Sequence, residues 1–131
     1  MKRTPVNPWS WSLQFGFNQA EVVEGGKRVV YCAGQTAMDP NAKPQHVGDI
    51  RAQITLAVDN LETVLREAGM SLSNVVRLTV YTTDVDKMIQ NYDALVSRLE
   101  AAQVKPPQTL LGVARLAFPE LLVELEATAV D

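Results

Sequence analysis

Histidine and cysteine are almost missing from this chain. Its 131 residues include one of each, His46 and Cys32. A lone cysteine forms no intramolecular disulfide, and one thiol with one imidazole cannot supply the four N/S ligands of a structural zinc site. No metal and no cofactor are expected. Any Ser-His-Asp or Cys-His arrangement would have to use His46, which lies in KPQHVGD, a Pro/Gly-flanked segment that reads as a solvated loop. Cys32, in the strand-like run VVYCA, reads as a small buried hydrophobe. A free thiol fits a reducing, cytoplasmic setting.

Basic charge is also short. Twelve Lys and Arg stand against fifteen Asp and Glu, a net charge of -3, and the pI is about 5.1. That balance argues against a nucleic-acid partner, which selects for a basic face. No apolar run approaches the roughly 20 residues that span a bilayer, and the opening MKRTPVNPWSWSLQ has no apolar core of a secretory signal. Neither membrane nor export is expected. What is present is globular: 47% apolar and 21% charged residues. The length suits one domain, residues 1–131, which can bury about two-thirds of its unfolded surface without disulfides or metal.

The first dozen residues, with Pro5, Pro8, Trp9 and Trp11, read as an irregular arm whose tryptophans pack on the body or on a neighbour. Asn18 to Glu24 and Arg28 to Ala33 are β-branched runs flanking Gly25-Gly26, which predicts a β-hairpin. Residues 37–48 carry Pro40, Pro44 and Gly48 and read as a loop. From Ile50 the apolar stripe Ile54, Ala57, Val58, Leu61, Val64, Leu65, Ala68 recurs at period 3.6, with Asp49 as N-cap and Gly69 as stop. Val75 to Thr83 predicts a strand. Asp86 to Ala102 predicts one helix, with Met88, Tyr92, Leu95 and Leu99 on one side. Beyond Pro106-Pro107, Thr109 to Leu116 and Leu121 to Val130 predict the last strands. The order β-β-α-β-α-β-β is an α+β pattern.

Along the last strand Leu121, Val123, Leu125, Ala127 and Ala129 share a uniformly apolar face, while Leu122, Glu124, Glu126, Thr128 and Val130 share a mixed one. Residues 75–83 show a similar mixture in Val75, Arg77, Thr79, Tyr81 and Thr83. Two helices cover one side of a sheet. The other side, too apolar for plain solvent surface and too polar for core, suits an oligomer interface with clefts.

Three segments, GFNQAEVVEGGKRVVYCAGQTAMDP, LAVDNLETVLREAGMSLSNVVRLTVYTTDVD and KPPQTLLGVARLAFPELLVELEATAV, together resemble the Rid family, the YjgF-type reactive-intermediate imine and enamine deaminases. The likeness runs from about Gly16 to Val130. It implies a ferredoxin-like or chorismate-mutase-like α+β subunit with a mixed sheet, two helices on one face, and a homotrimer with small-molecule clefts between neighbours. Active relatives hydrolyse 2-imino acids and enamines, gripping the substrate carboxylate with an arginine in a P-x-R-[ST]-x-V segment, where a guanidinium fork matches two oxygens.

This chain departs from that pattern where it matters. Gln108 occupies the arginine position, and Leu110 stands where a cysteine is frequent. Phe17 replaces a tyrosine, Ile89 replaces the asparagine before the matching Tyr92, and Ala33 replaces the serine of S-G-Q. Gln35 of the G-Q pair survives. So does Glu124, the glutamate that the resemblance assigns to positioning or activating water. The resemblance therefore implies a site with Glu124 as the catalytic residue and Phe17, Gln35, Ile89, Gln108 and Leu110 as substrate-binding residues, with Gln108 and Glu124 lining one cleft. Losing a buried charge partner for a carboxylate costs about 2–5 kcal/mol, roughly 30- to 4,000-fold in binding. Archetypal 2-imino acids are thus disfavoured as substrates. Arg77 and Arg115 are the cations that would have to substitute. Strand parity turns Arg115 away from Gln108 and toward an ion pair with Glu126 or a helix carboxylate.

Two functional classes follow. One is a hydrolase acting on the C=N bond of another imine or enamine, with Glu124 as proton shuttle. The other is a non-catalytic protein that holds or senses a small metabolite. An endoribonuclease-like activity is the weaker third reading, disfavoured by the acidic pI and the absence of a basic stripe.

Overall fold

A computed structural model describes residues 1–131. The chain first forms β1 (Lys2–Val6), a short 3-10 turn at Trp11–Phe15, and β2 (Ala20–Glu24). The arm expected at the N-terminus is thus a strand. β1 and β2 pair antiparallel, Lys2 opposite Glu24 and Val6 opposite Ala20, as a separate two-stranded sheet. Arg3 pins this sheet to the body: it donates to Glu21 and to the carbonyls of Ser73 and Val75. Trp9 and Trp11 remain largely exposed within the chain. Trp11 stacks edge-on against Phe15 and Phe17, with ring centroids 6.4 and 5.9 Å away.

The predicted hairpin across Gly25-Gly26 does not form. The next strand, β3 (Val29–Tyr31), leaves β2 and joins the far edge of the main sheet, beside the C-terminal strand. Gly25 takes φ +75°, and a Cβ on Gly26 would overlap Val130. The two glycines pass the chain from one sheet to the other at close approach, a requirement that looks the same in sequence as a tight turn.

After β4 (Gln35–Thr36) comes α1 (Ile50–Glu67), as its stripe predicts. Asp49 Oδ1 accepts the Ala52 amide at 3.0 Å. Gly69 at φ +76° closes the helix, the Gly69 amide bonding Arg66 and the Met70 amide bonding Leu65. β5 (Val75–Thr82) follows. The helix expected at 86–102 is two: α2 (Val85–Gln90) and α3 (Asp93–Ala101). Asp84 caps α2 by accepting the Lys87 amide. The interruption falls at Asn91, whose side chain donates to the Lys87 carbonyl at 2.9 Å and competes with the helical ladder. β6 (Gln108–Gly112), shorter than the predicted 109–116, and β7 (Val123–Val130) complete the fold.

The main sheet runs β3-β7-β5-β6, with β4 also on β7; β5 and β6 are parallel and the other pairs antiparallel. This is an α+β fold with a mixed sheet and its helices on one face. The parity of β7 holds: Val123, Leu125, Ala127 and Ala129 are buried in one cluster with Ile54, Leu61, Leu65, Leu95 and Leu99 of α1 and α3, and Leu121, just before the strand, is buried as well. A bulge between Val75 and Arg77 corrects the parity expected for β5. Val75 therefore joins Leu78 and Val80 in the core, while Arg77, Thr79 and Tyr81 keep the open face.

Candidate active cleft

Because side chains alternate along a strand, register decides which residues can meet. Gln108 lies beside Leu78 and Leu110 beside Val80, so both point to the helix side of the sheet. The break between α2 and α3 sets Tyr92 opposite them. Its hydroxyl donates to Gln108 Oε1 at 2.5 Å. Around this pair a slot of about 450 Å³ opens to the surface, with Phe15, Phe17, Ile89, Val96 and Leu110 as its apolar wall. Gln14 and Asp93 stand at its polar margin. Four residues singled out in the sequence, Phe17, Ile89, Gln108 and Leu110, therefore do converge.

The electrostatics of the slot are neutral to acidic. Burial pushes the Tyr92 phenol up to about 12, so it stays protonated. Gln108 Nε2 is enclosed and has no partner. Asp93 pairs with Arg51 through two bonds of 2.9 and 2.7 Å, which holds its carboxyl below the usual range and occupies both terminal guanidinium nitrogens. No lysine or arginine lines the slot. Arg77 sits on the open face and donates to Thr109 Oγ1 at 2.8 Å. Arg115 is exposed in the loop beyond β6 and makes none of the ion pairs expected of it; it is Tyr81 that bonds Glu126, at 3.1 Å.

Glu124 lies elsewhere. It pairs with Tyr81 on β5 and Thr36 on β4, and Tyr81 in turn neighbours Leu111, not Leu110. Its side chain thus occupies the open face of the sheet, the face opposite Gln108. Within one chain the two do not share a cleft. Glu124 packs over Gly34, where any Cβ would overlap its carboxylate. Partial burial, and then the neighbouring Glu126, raise its pKa. Gln35 is half-buried beside Leu125 and spends its amide on the Ala33 carbonyl, outside the slot. Cys32 is buried in the core, where desolvation raises its thiol pKa.

Sequence reading missed Tyr92 as a polar member of the site, placing it among the apolar positions of a single helix and, in the resemblance, as a matching tyrosine with no role. The Asn91 side chain that interrupts that helix was the available signal. It also missed Gln53, fully buried, which holds the two loops flanking the helix side. Gln53 Nε2 donates to Gln45, His46 and Glu120 carbonyls, and its Oε1 accepts from the Leu122 amide at 2.8 Å.

Residues 14–131 match the family model described as Endoribonuclease L-PSP. The chain is 34% identical to YyfB of Yersinia pestis, described as a protein of unknown function of the conserved Rid family. The two superpose with a TM-score of 0.86 over 99% of both chains. A RutC family protein of Pyrococcus abyssi is 30% identical over 95% of this chain and 87% of its own length. The Escherichia coli protein TdcF, whose structure carries bound serine, is 25% identical with a TM-score of 0.71 over 88% of this chain and 87% of TdcF.

Proposed function

The chain belongs to the endoribonuclease L-PSP family, which includes Rid and RutC proteins, and from that membership we propose that it binds a small metabolite in the Gln108 slot and hydrolyses its C=N bond. The substrate is an imine or enamine other than the archetypal 2-imino acids. The observation that carries this reading is the slot itself, a cavity of about 450 Å³ with an apolar wall and a glutamine where a carboxylate grip needs a cation.

In the hydrolysis, the oxygen of water bonds to the imine carbon and a proton reaches nitrogen. The C–N bond then breaks, ammonia leaves and a carbonyl compound remains. Glu124 is the group that moves the protons; partial burial, and then the neighbouring Glu126, lift its pKa above the ordinary carboxylate value, which favours a carboxyl that gives a proton as well as taking one. Gln108 and Glu124 face opposite sides of one sheet, so a site using both takes Gln108 from one copy and Glu124 from another. The open face is apolar enough for such an assembly: Tyr31 is 82%, Val29 50% and Leu111 44% exposed. We assign the assembly as a homotrimer, working in the cytoplasm.

A second reading, a non-catalytic binding protein, draws on a specific observation. Within one chain the slot's only carboxylate, Asp93, is tied to Arg51. One assay separates the two: ammonia release from a panel of imines generated by an amino-acid oxidase, run beside an arginine-bearing relative. The enzymatic reading expects slow turnover of small 2-imino acids, faster turnover of neutral or aromatic imines, and loss of both in Glu124→Gln. Ammonia release no faster than without protein across the panel would leave binding alone. Turnover of iminopropionate at the relative's rate would refute the substrate assignment.

A further inference from the structure

We infer that the slot selects neutral ligands through a C=O or C=N acceptor and turns carboxylates away, with Gln108 as the specificity-determining residue and Tyr92 as the positioning residue that decides which end of the Gln108 amide meets the ligand. The inference deepens the proposed function and rests on it only for the location of the site.

A glutamine side chain is ambiguous by nature, since either end of its amide can face a ligand. Here the ambiguity is removed. The Tyr92 hydroxyl donates to Oε1 at 2.5 Å. Burial raises the phenol to about 12, so its O–H proton is present throughout the physiological range, and Oε1, which can only accept, is the end that it holds. With Oε1 engaged, Nε2 is the free end. It is enclosed and has no partner. An enclosed N–H without an acceptor is unfavourable, and a ligand acceptor that enters by displacing the side chains over it relieves it.

The surroundings decide what kind of acceptor enters. Phe17, Ile89 and Leu110 supply apolar contact and no charge. Arg51, the guanidinium held at the slot's margin by Asp93, has both terminal nitrogens on that carboxylate. A carboxylate entering the slot would lose its water, find one neutral N–H, and approach the ionised Asp93 at the margin. An amide, ketone or neutral imine makes the same hydrogen bond without that desolvation loss.

The test uses benzamide and benzoate, which match in shape and differ in charge at pH 7.5, with toluene as a probe lacking any acceptor. Each is titrated into the full-length protein while the methyl resonances of Ile89 and Leu110 are followed. Benzamide should shift both methyls with a Kd on the order of tenfold below that of benzoate. Gln108→Leu should erase the benzamide preference and leave toluene binding intact. Tyr92→Phe, which frees the amide to turn, should narrow the benzamide-to-benzoate ratio without weakening toluene. A merely structural role for the phenol would not move that ratio. Benzoate binding as tightly as benzamide in the wild type overturns the inference and leaves the slot a ligand site. Failure of all three probes to shift Ile89 and Leu110 overturns the location of the site as well.

Discussion

Two residues illustrate how side-chain chemistry and burial decide the outcome in this chain. Gln53 is polar, sits on the buried face of α1, and has both ends of its amide engaged by loop backbone. Gln53→Leu keeps volume and removes the bonds, leaving the Leu122 amide and several carbonyls stranded. It should cost about 2–3 kcal/mol, read as a lower midpoint in urea denaturation at unchanged slope. An unchanged midpoint would mean that water replaces the amide. Glu124 behaves in the opposite sense. Its folded pKa lies above the ordinary carboxylate value, so between those two values the folded state binds more protons than the unfolded one. Stability therefore falls as pH rises through that window, and above it the ionised carboxylate is a standing cost. Glu124→Gln should raise the thermal midpoint at pH 7 and lose that advantage below about pH 4, where the unfolded carboxyl is itself protonated. Thermal melts at the two pH values check the sign. An advantage confined to low pH would contradict the raised pKa.

At the level of elements, legibility followed periodicity. α1 and β7 were readable because burial imposes strict spacing over 18 and 8 residues. The β1 strand was not, because Pro5 and a largely exposed five-residue run carry no such signal. The Gly25-Gly26 turn was misread because sequence shows where a chain bends but not which strand it joins. The site was half legible. Phe17, Ile89, Gln108 and Leu110 meet as the resemblance implied, while the separation of Gln108 from Glu124 needed the register of β5 against both its neighbours. The division between α2 and α3 has its own consequence. Asn91→Ala removes the side-chain competition at the break and favours a continuous helix, which would carry Tyr92 out of line with Gln108. The variant should stay folded by circular dichroism and show a weaker amide preference in the slot. Unchanged preference would mean that packing of Tyr92, not the break, sets its position.

At the scale of the whole molecule, the proposed site is divided between the two sides of a sheet. The helix side carries a closed core and, at its margin, the slot. The open side carries Glu124, Glu126 and Tyr81 among exposed apolar groups that one chain leaves uncovered. Joining the open face of one copy to the slot margin of the next would bury Tyr31 and Leu111 and bring Glu124 to a slot whose own chain cannot supply it. A homotrimer built this way has three equivalent sites, each made by two copies. Light scattering at micromolar concentration should then give a mass about three times 14.4 kDa. Leu111→Glu adds a charge to the face and should shift the mass toward a single chain without unfolding it, since Leu111 lies outside the core. Once a turned-over imine is known, mixing carries the argument further. Gln108→Leu and Glu124→Gln proteins, each inactive alone, should regain part of the activity when unfolded and refolded together, because mixed trimers contain some sites with both wild-type residues. Co-refolded samples without recovery, in mixed trimers demonstrated by mass, would mean that the two residues do not act in one site. A monomeric wild type would remove the shared site altogether.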